Sequence, residues 1–335
     1  MNPQFSIAIP VYNRRDFLRQ AIISALMQTV RDSEIIVSDD CSTEDLETVV
    51  ASFDDPRIKY HRSPSRLGAA QNHQVSVNLC RGEYVVNLHS DDLLLPNYLE
   101  MAGSELERSS MVGAVYSSVA YLSESEITGY QEVPKVRVAD VRVYAESPWL
   151  ETFHNVAPTS CMFRRSTFLK IGGYRASLRF AYDWDLFMRF MTIGGGVVFS
   201  REILSIYRRH EEQAARMSGE HAFYDVLDLW RLREYSHWSA SEISALMLTV
   251  LRERLSYRQW AEIIGHINDR GLMTRLLLGV PGALRRRLGR ARRSREEAEN
   301  YEPPAHVDTA LSAAKVIVQE VVTGYREPTP KKGCV

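Results

Sequence analysis

The feature that most narrows the fold is an alternation in the first hundred residues, where short apolar runs of β type take turns with longer runs of helical spacing. Phe5-Pro10 reads as a strand, and Arg15-Gln28 carries Phe17, Leu18, Ala21, Ile22, Ala25 and Leu26 at the spacing of one helical face. Glu34-Ser38 is a second strand. Thr43-Phe53 is a helix with Ser42 as its N-cap and Asp45 three residues on, and Ile58-His61 is a short third strand. Leu67-Cys80 predicts a further helix and Glu83-Leu88 a further strand. Strands separated by helices require crossover connections, so the pattern predicts a mainly parallel sheet covered by helices.

The texture then changes twice. Roughly Val112 to Arg209 mixes short strands with a helix over Trp184-Thr192, and the glycines at Gly172-Gly173 and Gly194-Gly196 mark turns. From Ala222 through Leu278 the spacing is helical only, and a Pro-bearing polar tail ends in PTPKKGCV. The 335 residues permit one large domain or two smaller ones.

Charge is balanced, with 41 Lys and Arg against 42 Asp and Glu, so no general basic surplus points to a nucleic-acid partner. The charge signal is local: Arg285, Arg286, Arg287, Arg290, Arg292, Arg293 and Arg295 crowd one stretch after Leu276, Leu277, Leu278, Val280 and Leu284. Basic residues beside apolar ones suggest peripheral contact with an anionic membrane, although Gly279, Pro281 and Gly282 interrupt the stretch and a solvated helix or a disordered tail explains it equally well. No apolar run approaches the roughly 18 to 20 residues that cross a bilayer. Cys41, Cys80, Cys161 and Cys334 are scattered without metal-binding spacing, and the N-terminus runs directly into a strand without a leader, so a reducing cytoplasm is the expected setting.

Two pairs of adjacent carboxylates carry the chemistry. Asp39-Asp40 follows the strand-like EIIVS, which places both acids at the carboxyl edge of a parallel sheet, where open α/β sheets bind ligands. Their plain structural role would be a turn or cap for the CSTED loop. Asp91-Asp92 repeats the arrangement after another strand. Neighbouring like charges are costly unless a cation or hydrogen-bond donors compensate, and hard oxygen ligands suit Mn2+ or Mg2+ bridging to a diphosphate. The alternative is a cap before Leu93-Leu95.

The segments IPVYNRRDFLRQAIISALMQT, EIIVSDDCSTED and RLGAAQNHQVSVNLCRGEYVVNLHSDD, followed by AYDWDLFMRF and YRRHEEQA, together resemble family 2 glycosyltransferases of the GT-A fold over roughly residues 4 to 215. The resemblance implies that Pro10, Val11 and Tyr12 line a base pocket, that Asp39 holds the base, commonly uracil, and that Arg66 lies near the nucleotide. It makes Asp91 the metal ligand of the D-x-D motif, with Asp92 beside it facing ribose, sugar or metal, and His89 standing where the first Asp is usual. Asp183 matches the general base of inverting transfer, with Tyr182 where Glu is usual. Asp185 competes for that role but could equally cap its helix or pair with Arg189 four residues on. His210 matches a histidine near the metal and diphosphate and is expected to join Asp91 as a metal residue, and Arg208 and Arg209 could offset phosphate charge. Trp149, Asn155 and Thr159-Ser160 would border the donor sugar and the acceptor.

The resulting expectation is a GT-A catalytic domain over 1–215, split into a nucleotide-binding half (1–110) and an acceptor-binding half (111–215). A helical region (216–300) and a partly disordered tail (301–335) follow. The expected activity is inverting transfer from a nucleotide-sugar donor, with uracil as the expected base, to a hydroxyl on a saccharide, lipid-linked or protein acceptor in bacterial surface glycan synthesis, with Mn2+ or Mg2+. A member of the same fold that binds nucleotide or glycan without turnover is the alternative, prompted by His89 and Tyr182. A nucleotidyltransferase finds no support, because no Gly-rich, Lys-bearing phosphate loop is present. Leu246, Leu248, Leu251 and Trp260 could pack internally or in a homodimer.

Overall fold

Strand β1 (Phe5–Val11) is buried along its whole length, which explains why it is apolar at every position but Ser6, because a strand covered on both faces has no solvent side to alternate towards. It pairs in parallel with β2 (Ser33–Asp39) on one side and β4 (Tyr84–Asn87) on the other, and β2 pairs in parallel with β3 (Ile58–Arg62). Pro10 is tolerated inside β1 because pairing with β4 ends at Ala8, two residues earlier. The crossovers are α1 (Arg15–Leu26), α2 (Leu46–Ala51) and α3 (Ala69–Leu79). The computed structural model describes residues 2–133, 138–139, 161–179, 182–210 and 305–323.

The second half turns the sheet antiparallel. After β5 (Leu93–Leu94) and α4 (Tyr98–Glu107) come β6 (Ala114–Ser123), β7 (Glu126–Gln131), β8 (Val138–Ala139) and β9 (Cys161–Arg164). Then follow α5 (Arg165–Lys170), α6 (Tyr182–Thr192) and the long β10 (Val197–Arg209). The strand order is β3-β2-β1-β4-β9-β6-β10-β5, with β7 paired to β6 and β8 to β10. Strand β9 is antiparallel to both β4 and β6, whereas β6 and β10 run parallel. The result is a mixed, helix-flanked sheet whose parallel half is the one the alternation predicts. The glycine turns also stand as expected: Gly172, Gly173, Gly195 and Gly196 all have positive φ.

Three sequence expectations are corrected. Helix α2 starts at Leu46, and its N-cap is Asp45, which accepts from the Thr48 N–H (3.1 Å) and Thr48 hydroxyl (2.6 Å). Ser42 is not available as that cap, since its hydroxyl donates to Asp39 (2.5 Å) and accepts from the Asn13 N–H (2.7 Å). Helix α3 starts at Ala69, because Gly68, at φ 89, and Leu67 give their N–H groups to Asp40. Within the stretch read as a tail, α7 (Ala305–Val318) is helical and continues as a π-type turn, Gln319–Thr323. Its Val307, Ala314, Ile317, Val318 and Val321 are buried in one cluster with Leu93, Leu95, Leu122, Ile203 and Ile206, and Ile23 of α1 and Met27 just after it pack against it. Each of the Val and Ile side chains contributes about 1.5–3 kcal/mol on full burial, which is ample to hold a helix. The residues at 216–300, including the arginine cluster and Leu246, Leu248, Leu251 and Trp260, lie outside the described residues, as do Trp149, Asn155, Thr159 and Ser160. No helix among the described residues is long and apolar enough to cross a membrane.

Burial also sets thiol chemistry. Cys80 and Cys161 are buried, and desolvation pushes each thiol up to about 12, whereas Cys41 is half-buried at a loop. A raised thiol pKa keeps the proton on at neutral pH, and only the thiolate is nucleophilic. In a Cys334→Ser background, Ellman's reagent at pH 8 should therefore titrate about one thiol in the native protein and three after unfolding.

Candidate active site

The ends of β1, β2 and β4 meet at one edge. At the end of β1, Asn13 (φ 57) and Arg14 (φ 65) adopt the left-handed conformation, which residues with a side chain enter at a cost and which recurs at functional sites. The Asn13 side chain holds the next loop by accepting from the Thr43 N–H (2.9 Å). The turn carries Arg14 over to Asp91, where its guanidinium bonds to Oδ2 at 2.5 Å, across 77 residues of sequence.

Asp91 is the hub. Oδ2 also lies 3.0 Å from His210 Nε2, and the His210 ring packs on Phe17 at 5.1 Å. Burial alone would raise the Asp91 carboxyl, but the His210 hydrogen bond, the neighbouring His89 and the Arg14 charge outweigh it and hold the group well below the usual carboxylate range. Asp92, beside it, accepts from the Arg208 N–H at 2.8 Å, and the Arg208 guanidinium donates to the Asp91 carbonyl (2.8 Å) and to Gln20 (2.5 Å) while lying over Phe17. Arg208 thus clamps the Asp91-Asp92 loop to β10, and Arg209 stacks on Tyr121 at 3.6 Å.

One ring nitrogen of His89 and one oxygen each of Asp91 and Asp92 lie within 4.8 Å of one another, a spacing that fits a divalent ion. The fit is supported by His89 Nε2, which is buried and makes no hydrogen bond among the described residues. Burial also lowers the pKa of His89, favouring the neutral imidazole that ligates metals. His210 meets this group through Asp91.

Behind the metal-type cluster stands a buried aromatic and imidazole core that sequence reasoning missed. His73, from α3, packs against His89 (5.0 Å between ring centres), Tyr174 (5.4 Å) and Tyr182 (5.0 Å). Asn87, the last residue of β4, bonds His73 Nδ1 and donates to the Tyr174 hydroxyl, each at 2.7 Å. Burial drives the His73 imidazole well below its ordinary pKa and the Tyr182 phenol above its own, and Asp183 and Asp91 both push Tyr182 further up. Tyr182 therefore stands within electrostatic reach of both acids, which brings the first turn of α6 next to the end of β4.

In that turn Asp183 is half-buried, while Asp185 is fully buried. Asp185 takes two bonds from Arg189 (2.9 and 2.5 Å) and one from Arg175 (2.8 Å), and Arg189 also donates to the carbonyls of Ile171 and Gly173. The pairing expected of Asp185 is present, and it makes this residue a bracket for α6.

At the other end of the cleft, Arg66 lies 3.7 Å over the Tyr12 ring, and Pro10 and Val11 form the last turn of the β1 pleat opposite Ser38 and Asp39. Asp39 is fully buried, and its oxygens receive the Ser42 N–H and hydroxyl, the Tyr60 hydroxyl (2.6 Å) and Arg62 (3.3 Å). A base reading Asp39 would have to replace one of those donors. The structural roles weighed for the Asp39-Asp40 pair are both filled, Asp39 pinning the following turn and Asp40 the start of α3.

A helix-flanked mixed sheet with paired acids at the ends of its parallel strands is an architecture that binds ligands at that edge. Residues 6–172 match the model of Glycosyl transferase family 2, and through them the chain belongs to that family. An uncharacterized glycosyltransferase of Rickettsia typhi is 30% identical over 219 residues, covering 63% of this chain and 66% of the relative, so the chain spans about two thirds of that protein's length. The fold is similar to S. aureus TarS 1-349 in complex with UDP-GlcNAc (TM-score 0.58, 13% identity, 98% of this chain and 93% of that one). It is also similar to the mannosyltransferase PcManGT of Pyrobaculum calidifontis in complex with GDP-Man and Mn2+ (TM-score 0.55, 14% identity, 98% and 89%).

Proposed function

We propose that this chain transfers a sugar, with inversion, from a UDP-sugar to an acceptor hydroxyl, with Asp183 as general base and Asp91 at the centre of a divalent-metal and diphosphate site. The observation that carries the reading is the convergence of Asp91, Asp92, His89, Arg14 and His210 beside the Tyr182-Asp183 turn. Arg14 and His210 offer N–H donors for phosphate oxygens, and Tyr12 with Arg66 offers a stacking face for a base. A bound divalent ion would offset the charge that develops on the leaving diphosphate.

In this scheme Asp183 takes the proton of the acceptor hydroxyl as that oxygen bonds to the anomeric carbon. The bond from that carbon to the diphosphate oxygen breaks on the opposite face, and the nucleoside diphosphate leaves. A UDP-sugar donor is in keeping with the UDP-GlcNAc bound to TarS and with the family. The acceptor is a saccharide, a lipid-linked saccharide or a protein hydroxyl of bacterial surface glycan synthesis, selected by the second half of the chain.

The proposed donor class is tested by thermal shift with a panel of nucleoside diphosphates and Mn2+, since a ligand at about a hundred times its Kd stabilises the folded state by about 2.7 kcal/mol. UDP should raise Tm in wild type and should fail to do so in Asp91→Asn. Equal shifts in the two proteins would remove Asp91 from the donor site.

A further inference from the structure

The resemblance to the family places His89 where an Asp is usual, and the structure gives that histidine a chemical meaning. The His89 nitrogen, Asp91 oxygen and Asp92 oxygen within 4.8 Å of one another form the one group of potential metal ligands found among the described residues. His89 Nε2 is buried without a hydrogen bond among those residues, a state that costs desolvation energy and that a bound ligand would relieve. The ring is set by packing: His73 stands nearly perpendicular to it at 80°, and Asn87 fixes His73 in turn. Arg14 and His210 both bond to Oδ2 of Asp91, so their two bonds leave Oδ1 to other partners.

We infer that His89 is itself a metal ligand, so that one imidazole nitrogen joins the two carboxylates, and that this nitrogen makes the site select Mn2+ over Mg2+. The inference rests on the metal-assisted reading of the same site. Mg2+ requires near-ideal octahedral oxygen coordination and parts with water reluctantly, whereas imidazole suits transition-metal ions. Exchanging a carboxylate for an imidazole therefore weakens Mg2+ more than Mn2+. The residue that looks like a loss of the motif becomes the device that sets the ion.

The test uses the full chain with UDP present. Free Mn2+ is followed by electron paramagnetic resonance, Mg2+ by competition, and the bound ion by electron spin echo modulation from nitrogen. Wild type should hold Mn2+ at least about tenfold more tightly than Mg2+ and show imidazole nitrogen modulation. His89→Asp should lose the modulation and about tenfold of the Mn2+ preference, through tighter Mg2+ binding. Thermal melts of the variant establish that it is folded.

Bound Mn2+ without nitrogen modulation, or modulation that survives in His89→Asp, would overturn the inference and leave the proposed transferase standing. UDP binding without any uptake of Mn2+ would overturn the inference and the metal part of the proposal together. Failure of UDP to bind with every ion would overturn the inference along with the donor assignment itself.

Discussion

Asp183→Asn should lower the rate of sugar transfer by about two to four orders of magnitude while nucleotide affinity stays within about twofold, the range a positioned general base supplies. That loss corresponds to roughly 3–5 kcal/mol of transition-state stabilisation. The expectation is specific to this carboxylate because of its surroundings. Asp183 is half-buried at the start of α6, next to Tyr182, and the end of β4 with Asp91 is within electrostatic reach of the same tyrosine. Removing the base leaves the donor contacts untouched, so kcat should fall with the donor Kd unchanged; steady-state kinetics with nucleotide titration separates the two. Full activity in Asp183→Asn would refute the assignment.

The same helix should respond in the opposite way two residues on. Asp185→Ala leaves Arg189, which is 1% exposed, without its carboxylate partner. Removing one member of a buried pair costs about 3–5 kcal/mol, because the remaining charge stays in a medium that solvates it poorly. Chemical denaturation should show that loss as a lower midpoint at unchanged slope. Arg189 also holds the carbonyls of Ile171 and Gly173, so the turn before α6 should loosen with it. A change below about 1 kcal/mol would show that Asp185 does not hold α6 in place. One variant is thus read by rate and its neighbour by stability.

Much of this arrangement is legible in the chain. The strands of the parallel half are short, apolar and separated by helical spacing, so their order and edge follow from periodicity, and Asp39, Asp40, Asp91 and Asp92 fall at strand ends for that reason. The Asp185–Arg189 pair is legible because four residues along a helix is a fixed distance. Arg14 is not legible, since its contact with Asp91 depends on two successive left-handed residues and spans 77 positions. His73 escapes for a related reason: a histidine inside a helical run carries no sign that Tyr174 and Tyr182 will close around it. Helix α7 is a different case. Val307, Ala310, Leu311, Ala314, Ile317, Val318 and Val321 recur at three- and four-residue steps, a signal present in the chain but masked by its proline-bearing flanks. Capping at α2 misleads because Ser42 and Asp45 both suit an N-cap, and the choice is made by Asp39 at the end of β2 and Asn13 in the loop after β1, which engage Ser42.

The most direct measurement of the central claim follows nucleoside diphosphate released from a panel of nucleotide sugars, with Mn2+ and then with chelator, in wild type and Asp91→Asn. Release from a UDP-sugar should require the ion and fall at least about a hundredfold in the variant, in keeping with the several kcal/mol a bound cation supplies to a developing charge. Folded wild-type protein that neither binds nor cleaves any nucleotide sugar, or that releases UDP equally well with Asp91 removed, would contradict it.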